Sequence, residues 1–167
     1  MSEFAYRSLI AYKKSKEVVK QTYKLLKKFP KEEQYALCDQ LRRSSTSVTS
    51  NIAEGMTRYS VKDKSHFLEI SYGSLMEVSS QFDVACDLGY ITADDLNNMD
   101  ALIGETARLI SGLQRSFREE TLSGERSLRE RSLREERSFS EERSFSEERS
   151  FSEERSFSEE RRVKREE

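Results

Sequence analysis

Five lysines, Lys13, Lys16, Lys20, Lys24 and Lys27, recur at spacings of 3, 4, 4 and 3 residues. On a helix that spacing gathers them into one narrow stripe, about 21 Å long at 1.5 Å per residue. Ammonium groups set out this way displace condensed counterions from phosphates whatever the base sequence, so the chemistry on offer is electrostatic capture of RNA or DNA. Arg42 and Arg58 are the other cations that could join such a surface. No aromatic residue interrupts the stripe, so reading of individual bases is not expected. The alternative, a merely solvated helix face, stays open.

Other chemistry finds less support. Asp63-Lys-Ser-His66 imitates half of a carboxylate-x-x-His metal motif, but a di-iron bundle needs two such motifs and further glutamates, and His66 is the only histidine. Gly55, Gly73, Gly104 and Gly112 are scattered through helical patterns and make no phosphate loop. No serine or cysteine has a histidine base nearby in sequence. Neither a catalytic residue, a metal, a cofactor nor a small-molecule substrate is therefore expected. Cys38 and Cys86 fall on or beside apolar stripes and read as buried free thiols.

A second pattern offers packing instead of charge. Arg43, Ser47, Ser50 and Glu54 stand opposite the apolar stripe of their helix at spacings of 4, 3 and 4, small residues with a charge at each end. Gly73, Glu77, Ser80 and Val84 repeat the same spacing later in the chain. Two such seams suit close contact with another subunit, with Arg43, Glu54 and Glu77 meeting opposite charges there. Arg43 and Glu54 are eleven residues apart, about 16 Å, too far to pair within one helix.

These residues need rods to carry them, and the hydrophobic periodicity supplies four. The first predicted helix covers about 8–28, with Ala11, Tyr12, Ser15, Val18, Val19, Thr22, Leu25, Leu26 and Phe29 on its core side. Phe29-Pro30 ends it, and Pro30, Glu32 and Glu33 suit the first turn of a second helix running to about Arg58. That helix carries Gln34, Leu37, Cys38, Leu41, Ser45, Val48, Ile52 and Met56 within about 100° of arc. Ser60-Val-Lys-Asp63 is a capping box opening a third helix, in which Leu68, Ser71, Leu75, Val78, Phe82 and Ala85 alternate by three and four. Gly89 suits a left-handed cap, and Thr92-Ala-Asp-Asp95 opens a fourth helix with Leu96, Met99, Ile103, Thr106, Ile110, Leu113 and Phe117 in heptad register. Short connections force neighbours antiparallel, so the fold expected is an all-α, up-down-up-down four-helix bundle over residues 1–118.

Residues 119–167 differ in kind. Arg-Ser-Phe-Ser-Glu-Glu recurs from Arg137, Arg143, Arg149 and Arg155, and a period of six turns Phe139, Phe145 and Phe151 in three directions on a helix. Without an apolar stripe, this low-complexity tail is expected to be disordered or a frayed helix. Charge is uneven within the bundle too: residues 1–64 hold 14 Lys+Arg and 7 Asp+Glu (+7), residues 65–118 hold 3 and 8 (−5). Such polarity fits an anionic partner on one side or head-to-tail subunit pairing. No apolar run reaches the roughly 20 residues a bilayer requires and no signal-peptide pattern opens the chain, so no membrane partner and a cytoplasmic location are expected.

In this order of helices, Phe29-Pro-Lys-Glu-Glu33, Gln40-Leu-Arg-Arg43, Ser50-Asn-Ile-Ala-Glu-Gly55, Phe67-Leu-Glu-Ile70, Gly73-Ser-Leu-Met-Glu77 with Gln81, and Leu88-Gly-Tyr90 carry a likeness. Residues 6–118 resemble the four-helix-bundle proteins encoded by 23S rRNA intervening sequences, which often place a proline where this chain has Thr49. The resemblance implies a bacterial cytosolic homo-oligomer, commonly a five-subunit ring, without established enzymatic activity and with a role in nucleic-acid binding. A related bundle is accessory to the reverse transcriptase of diversity-generating retroelements, which supports the nucleic-acid role by analogy. A protein-interaction scaffold is the competing expectation.

Overall fold

The structure, a computed structural model, describes residues 4–166, with side-chain surroundings for residues 4–139. Four α-helices, α1 (Ile10–Leu25), α2 (Leu37–Gly55), α3 (Val61–Asp87) and α4 (Ala93–Glu166), follow one another, and no strand occurs among the described residues. The chain divides into two compact units, residues 1–120 and 121–167.

Residues 4–120 form the expected all-α, up-down-up-down bundle. Antiparallel order shows in the contacts: Ser44 meets Gln81 and Ser47 meets Ser74 across α2 and α3, while Lys14 reaches Glu105 and Lys28 reaches Asp95 across α1 and α4. The stripes predicted from periodicity are the core. Leu68, Ser71, Leu75, Val78, Phe82 and Ala85 are all fully buried, against Val18, Leu25, Leu41, Val48, Ile52, Met99 and Ile110.

Local chemistry sets the helix ends. Ser60 Oγ accepts the Asp63 amide at 3.0 Å, and in the fourth helix the box is reciprocal: Thr92 Oγ1 accepts the Asp95 amide and Asp95 Oδ2 accepts the Thr92 amide, both at 3.1 Å. Gly89, at φ +74°, takes the left-handed conformation at the end of α3 that a side chain would strain.

The second helix begins later than expected. Lys31–Tyr35 is a 3₁₀ turn, Ala36 breaks it at φ −113°, ψ −108°, and α2 starts at Leu37. Glu33 explains the offset. Its carboxylate accepts the Leu37 amide at 3.2 Å and the Tyr90 hydroxyl at 3.1 Å, so it caps a helix starting four residues on. Gln34, expected on the core stripe, consequently stands exposed in that turn. The first helix likewise tightens into a 3₁₀ turn over Leu26–Lys28.

Through α2 the serine and threonine hydroxyls fold back onto the preceding turn: Ser44 onto Gln40, Thr46 onto Arg42 and Thr49 onto Thr46. Satisfied in this way, the run stays helical without interruption at Thr49. Cys38 is buried and burial pushes its thiol pKa up; Cys86, expected buried, is half-buried, and both are free. Residues 121–139 of the second unit are helical with every side chain exposed. Phe145 and Phe151, on which the six-residue argument also rests, lie outside the described side chains.

Candidate nucleic-acid interface

The lysines of α1 and of the turn that follows it divide by partner. Lys14 and Lys28 turn toward α4 and are neutralised there: Lys14 pairs with Glu17 at 3.0 Å and Glu105 at 3.1 Å, and Lys28 with Asp95 at 2.6 Å. The hydrogen bond to Glu17, seconded by Glu105, raises the Lys14 pKa, and Lys28 together with Thr92 holds the Asp95 carboxyl at about 2. Lys13, Lys16, Lys20, Lys24 and Lys27 are all exposed, and among the described residues no carboxylate pairs with any of them.

Lys20 and Lys24 also line a groove of 540 Å³ between α1 and α4, with Glu17, Gln21, Asn98 and Leu102. One edge of the lysine face is aromatic, which the sequence reading missed. Tyr23 is 46% exposed, three residues after Lys20 and four before Lys27, so both lysines are its neighbours on the helix surface. Tyr12 lies on the same flank, half-buried, with the Lys16 ammonium 5.3 Å from its ring centre. Plotting the tyrosines on the lysine wheel would have found them; Tyr12 was assigned to the core and Tyr23 to no face.

Arg42 and Arg58 both make contacts within the protomer, of different kinds. Arg42 donates to the Gln34 carbonyl at 3.2 Å, tying α2 to the turn before it. Arg58 pairs with Glu54 and lies over the Phe67 ring, 4.6 Å from its centre.

The two small-residue seams also separate. Ser47, expected on an outward flank, is half-buried and shares a 2.8 Å hydrogen bond with Ser74, while Asn51 donates to both its carbonyl and its hydroxyl. It belongs to the packing of α2 on α3. Ser50 is exposed, Arg43 pairs with Asp39 one turn away, and Glu54 is held by Arg58. On α3, Gly73, Glu77, Ser80 and Val84 are all exposed; Glu77 accepts from Gln81, whose oxygen accepts from Ser44. A Cβ added at Gly73 would meet nothing within 4 Å. Ile70, Tyr72 and Met76 add apolar area around it, and a groove of 350 Å³ lined by Glu69, Tyr72, Gly73, Ser111 and Gln114 opens alongside.

The residues of the half metal motif are otherwise engaged. Asp63 serves the α3 cap, accepting from Ser60 Oγ at 2.7 Å, and exposed His66 packs edge-on to Phe67. Among the described residues no group of three potential ligands could hold a metal ion, and no helix is long and apolar enough to cross a membrane.

Fold and surface together define a small antiparallel helical bundle with one basic helix face and one apolar-edged helix face. Residues 7–112 match the 23S rRNA-intervening sequence proteins, and the chain belongs to that family. No curated protein matches it. A crystal structure described as a protein with unknown function from the S23 ribosomal protein family of Bacteroides thetaiotaomicron has the same fold, with 22% sequence identity and a TM-score of 0.59. The match covers 63% of this chain and 98% of that one.

Proposed function

We propose that this protein is a non-enzymatic, cytoplasmic nucleic-acid-binding bundle that holds RNA or DNA electrostatically along α1. The observation that carries the reading is the division of the lysines: Lys14 and Lys28 have carboxylate partners, and among the described residues the five of the stripe have none. A stripe about 21 Å long can follow a phosphate backbone over several nucleotides without recognising bases. Replacing Lys16, Lys20 and Lys24 with glutamine should flatten the salt dependence of binding by roughly 0.7 in log–log slope per lost phosphate contact on a single strand. Titrations at several salt concentrations read this directly. Binding by the native chain that ignores salt, or an unchanged slope in the triple variant, defeats the reading.

A second reading, self-association, is favoured by the α3 face. Ile70 and Val84 continue the Gly73, Glu77 and Ser80 seam in heptad register, and exposed apolar side chains around a side-chain-free gap suit a second copy of the chain. The five-subunit ring implied by the family resemblance is its specific form. Sedimentation of Val84→Glu and Arg43→Glu should show a smaller assembly than the native chain; a native monomer at micromolar concentration removes this reading and leaves the first intact.

A further inference from the structure

We infer that the α1 face takes a single-stranded nucleic acid, with a base stacked on Tyr23 and the flanking phosphates on Lys20 and Lys27. The inference rests on the nucleic-acid reading above and narrows its ligand. Tyr23 is 46% exposed, and among the described residues no hydrogen bond or ring contact occupies it. It stands one turn from each of two cations that have no carboxylate partner.

Tyr12 shows what an occupied aromatic on this flank looks like. Eleven residues earlier, its ring packs edge-on to Tyr6 at 4.9 Å and lies under the Lys16 ammonium. It is committed within the protomer, whereas Tyr23 is not. Two other tyrosines are more exposed but lack the setting: Tyr35 follows Glu32 and Glu33 in the 3₁₀ turn, and Tyr59 follows Arg58, whose charge is committed to Glu54. Only at Tyr23, among these four, does an open ring stand one helical turn from lysines that, among the described residues, have no carboxylate partner.

Ligand class follows from that setting. A duplex keeps its bases stacked inside and offers a helix side only phosphates, so the tyrosine ring has no base face to stack on. A single strand can turn a base outward while its backbone runs along the lysines, and every base has a π face, so the contact is indifferent to sequence.

Fluorescence anisotropy of the full chain with a labelled oligouridylate, and with a duplex RNA of the same length, tests the assignment. Tyr23→Ala and Tyr23→Leu should weaken oligouridylate binding by about 5- to 150-fold, while Tyr23→Phe stays near the native affinity. The salt slope should not change in any of the three, because no phosphate contact is lost. Duplex affinity should be the weaker of the two and insensitive to all three substitutions. The leucine variant keeps apolar bulk on a half-exposed position, so its loss would report the missing ring and not a damaged fold. Native-like oligouridylate binding by Tyr23→Ala, or duplex binding as tight as single-strand binding, overturns the inference and leaves the electrostatic reading standing. Absence of salt-dependent binding to both probes removes that reading, and this inference falls with it.

Discussion

The two helix pairs of the bundle close by different physics. Across α2 and α3 the contact is made by small residues and hydroxyl groups: Ser71 Oγ donates to the Val48 carbonyl at 2.9 Å, Ser44 to Gln81 at 2.9 Å, and Ser47 shares a hydrogen bond with Ser74. Gly55 lets the chains come close, since a Cβ there would lie 3.1 Å from the Phe67 Cβ and 3.3 Å from the Lys64 carbonyl. Across α1 and α4 the ties are ionic, Lys14–Glu105 and Lys28–Asp95, with an open groove between. A seam whose polar groups satisfy one another inside the protomer has nothing left to offer a ligand. A pair held by charges presents unspent charge beside those ties. The same contrast explains why stretches that carry the family likeness, Ser50–Gly55 and Gly73–Glu77 with Gln81, build or border the α2–α3 seam, whereas the lysine stripe is absent from them.

The contrast can be broken at its tightest point. Gly55→Leu should destabilise the chain by about 3 kcal/mol, because added carbons must push Phe67 or the α3 backbone aside; a urea midpoint close to native would show that the seam has slack. On the other side of the bundle, Thr22 is fully buried and its hydroxyl has no hydrogen-bond partner among the described residues. Thr22→Val removes that unsatisfied group at nearly constant shape and should stabilise by about 1 kcal/mol, whereas Ser71→Ala, which cuts a bond within the seam, should destabilise by a similar amount. Chemical denaturation of both variants compares the two sides; opposite signs are the expected result.

The smallest effect concerns the ionic tie. The ordinary carboxyl value is 3.8, and Lys28 with Thr92 lowers that of Asp95 to about 2. The folded protein therefore keeps Asp95 ionised where the unfolded chain takes up a proton. Stability from this contact is complete above about pH 4 and is lost as pH falls through about 2. Lys28→Met should raise the Asp95 pKa, followed by carboxyl NMR, and flatten the acid limb of the stability profile. Exposed pairs of this kind contribute about 0.2–1 kcal/mol, so the variant should be near-native at neutral pH. An unmoved Asp95 titration would assign the depression to Thr92 alone.

Legibility in the sequence followed the range of the interaction. Ser60 and Asp63, Thr92 and Asp95, and Gly89 could be placed because each cap joins residues within one turn. The helix-2 boundary was misplaced because Glu33 works with Tyr90, 57 residues away, and no local pattern records that meeting. Arg58 has its charge met by Glu54, whereas Arg42 keeps its charge and gives one N–H to the Gln34 carbonyl. Glu54 is four residues from Arg58 and could have been read as its partner; Arg42's bond depends on the 3₁₀ turn.

By itself, then, the sequence determined four amphipathic rods, the locally capped ends and most of the residues each rod buries, since periods of three and four residues are properties of a single helix. It also determined a lysine stripe. Tertiary structure alone decided which outward-looking positions face solvent and which face a neighbour: Ser47 turned into the α2–α3 seam, Lys14 and Lys28 were paired with carboxylates of α4, and Tyr23 was left exposed. A helical wheel gives each side chain its direction, but a partner exists only where a second helix, brought close by the packing of the whole bundle, puts one there.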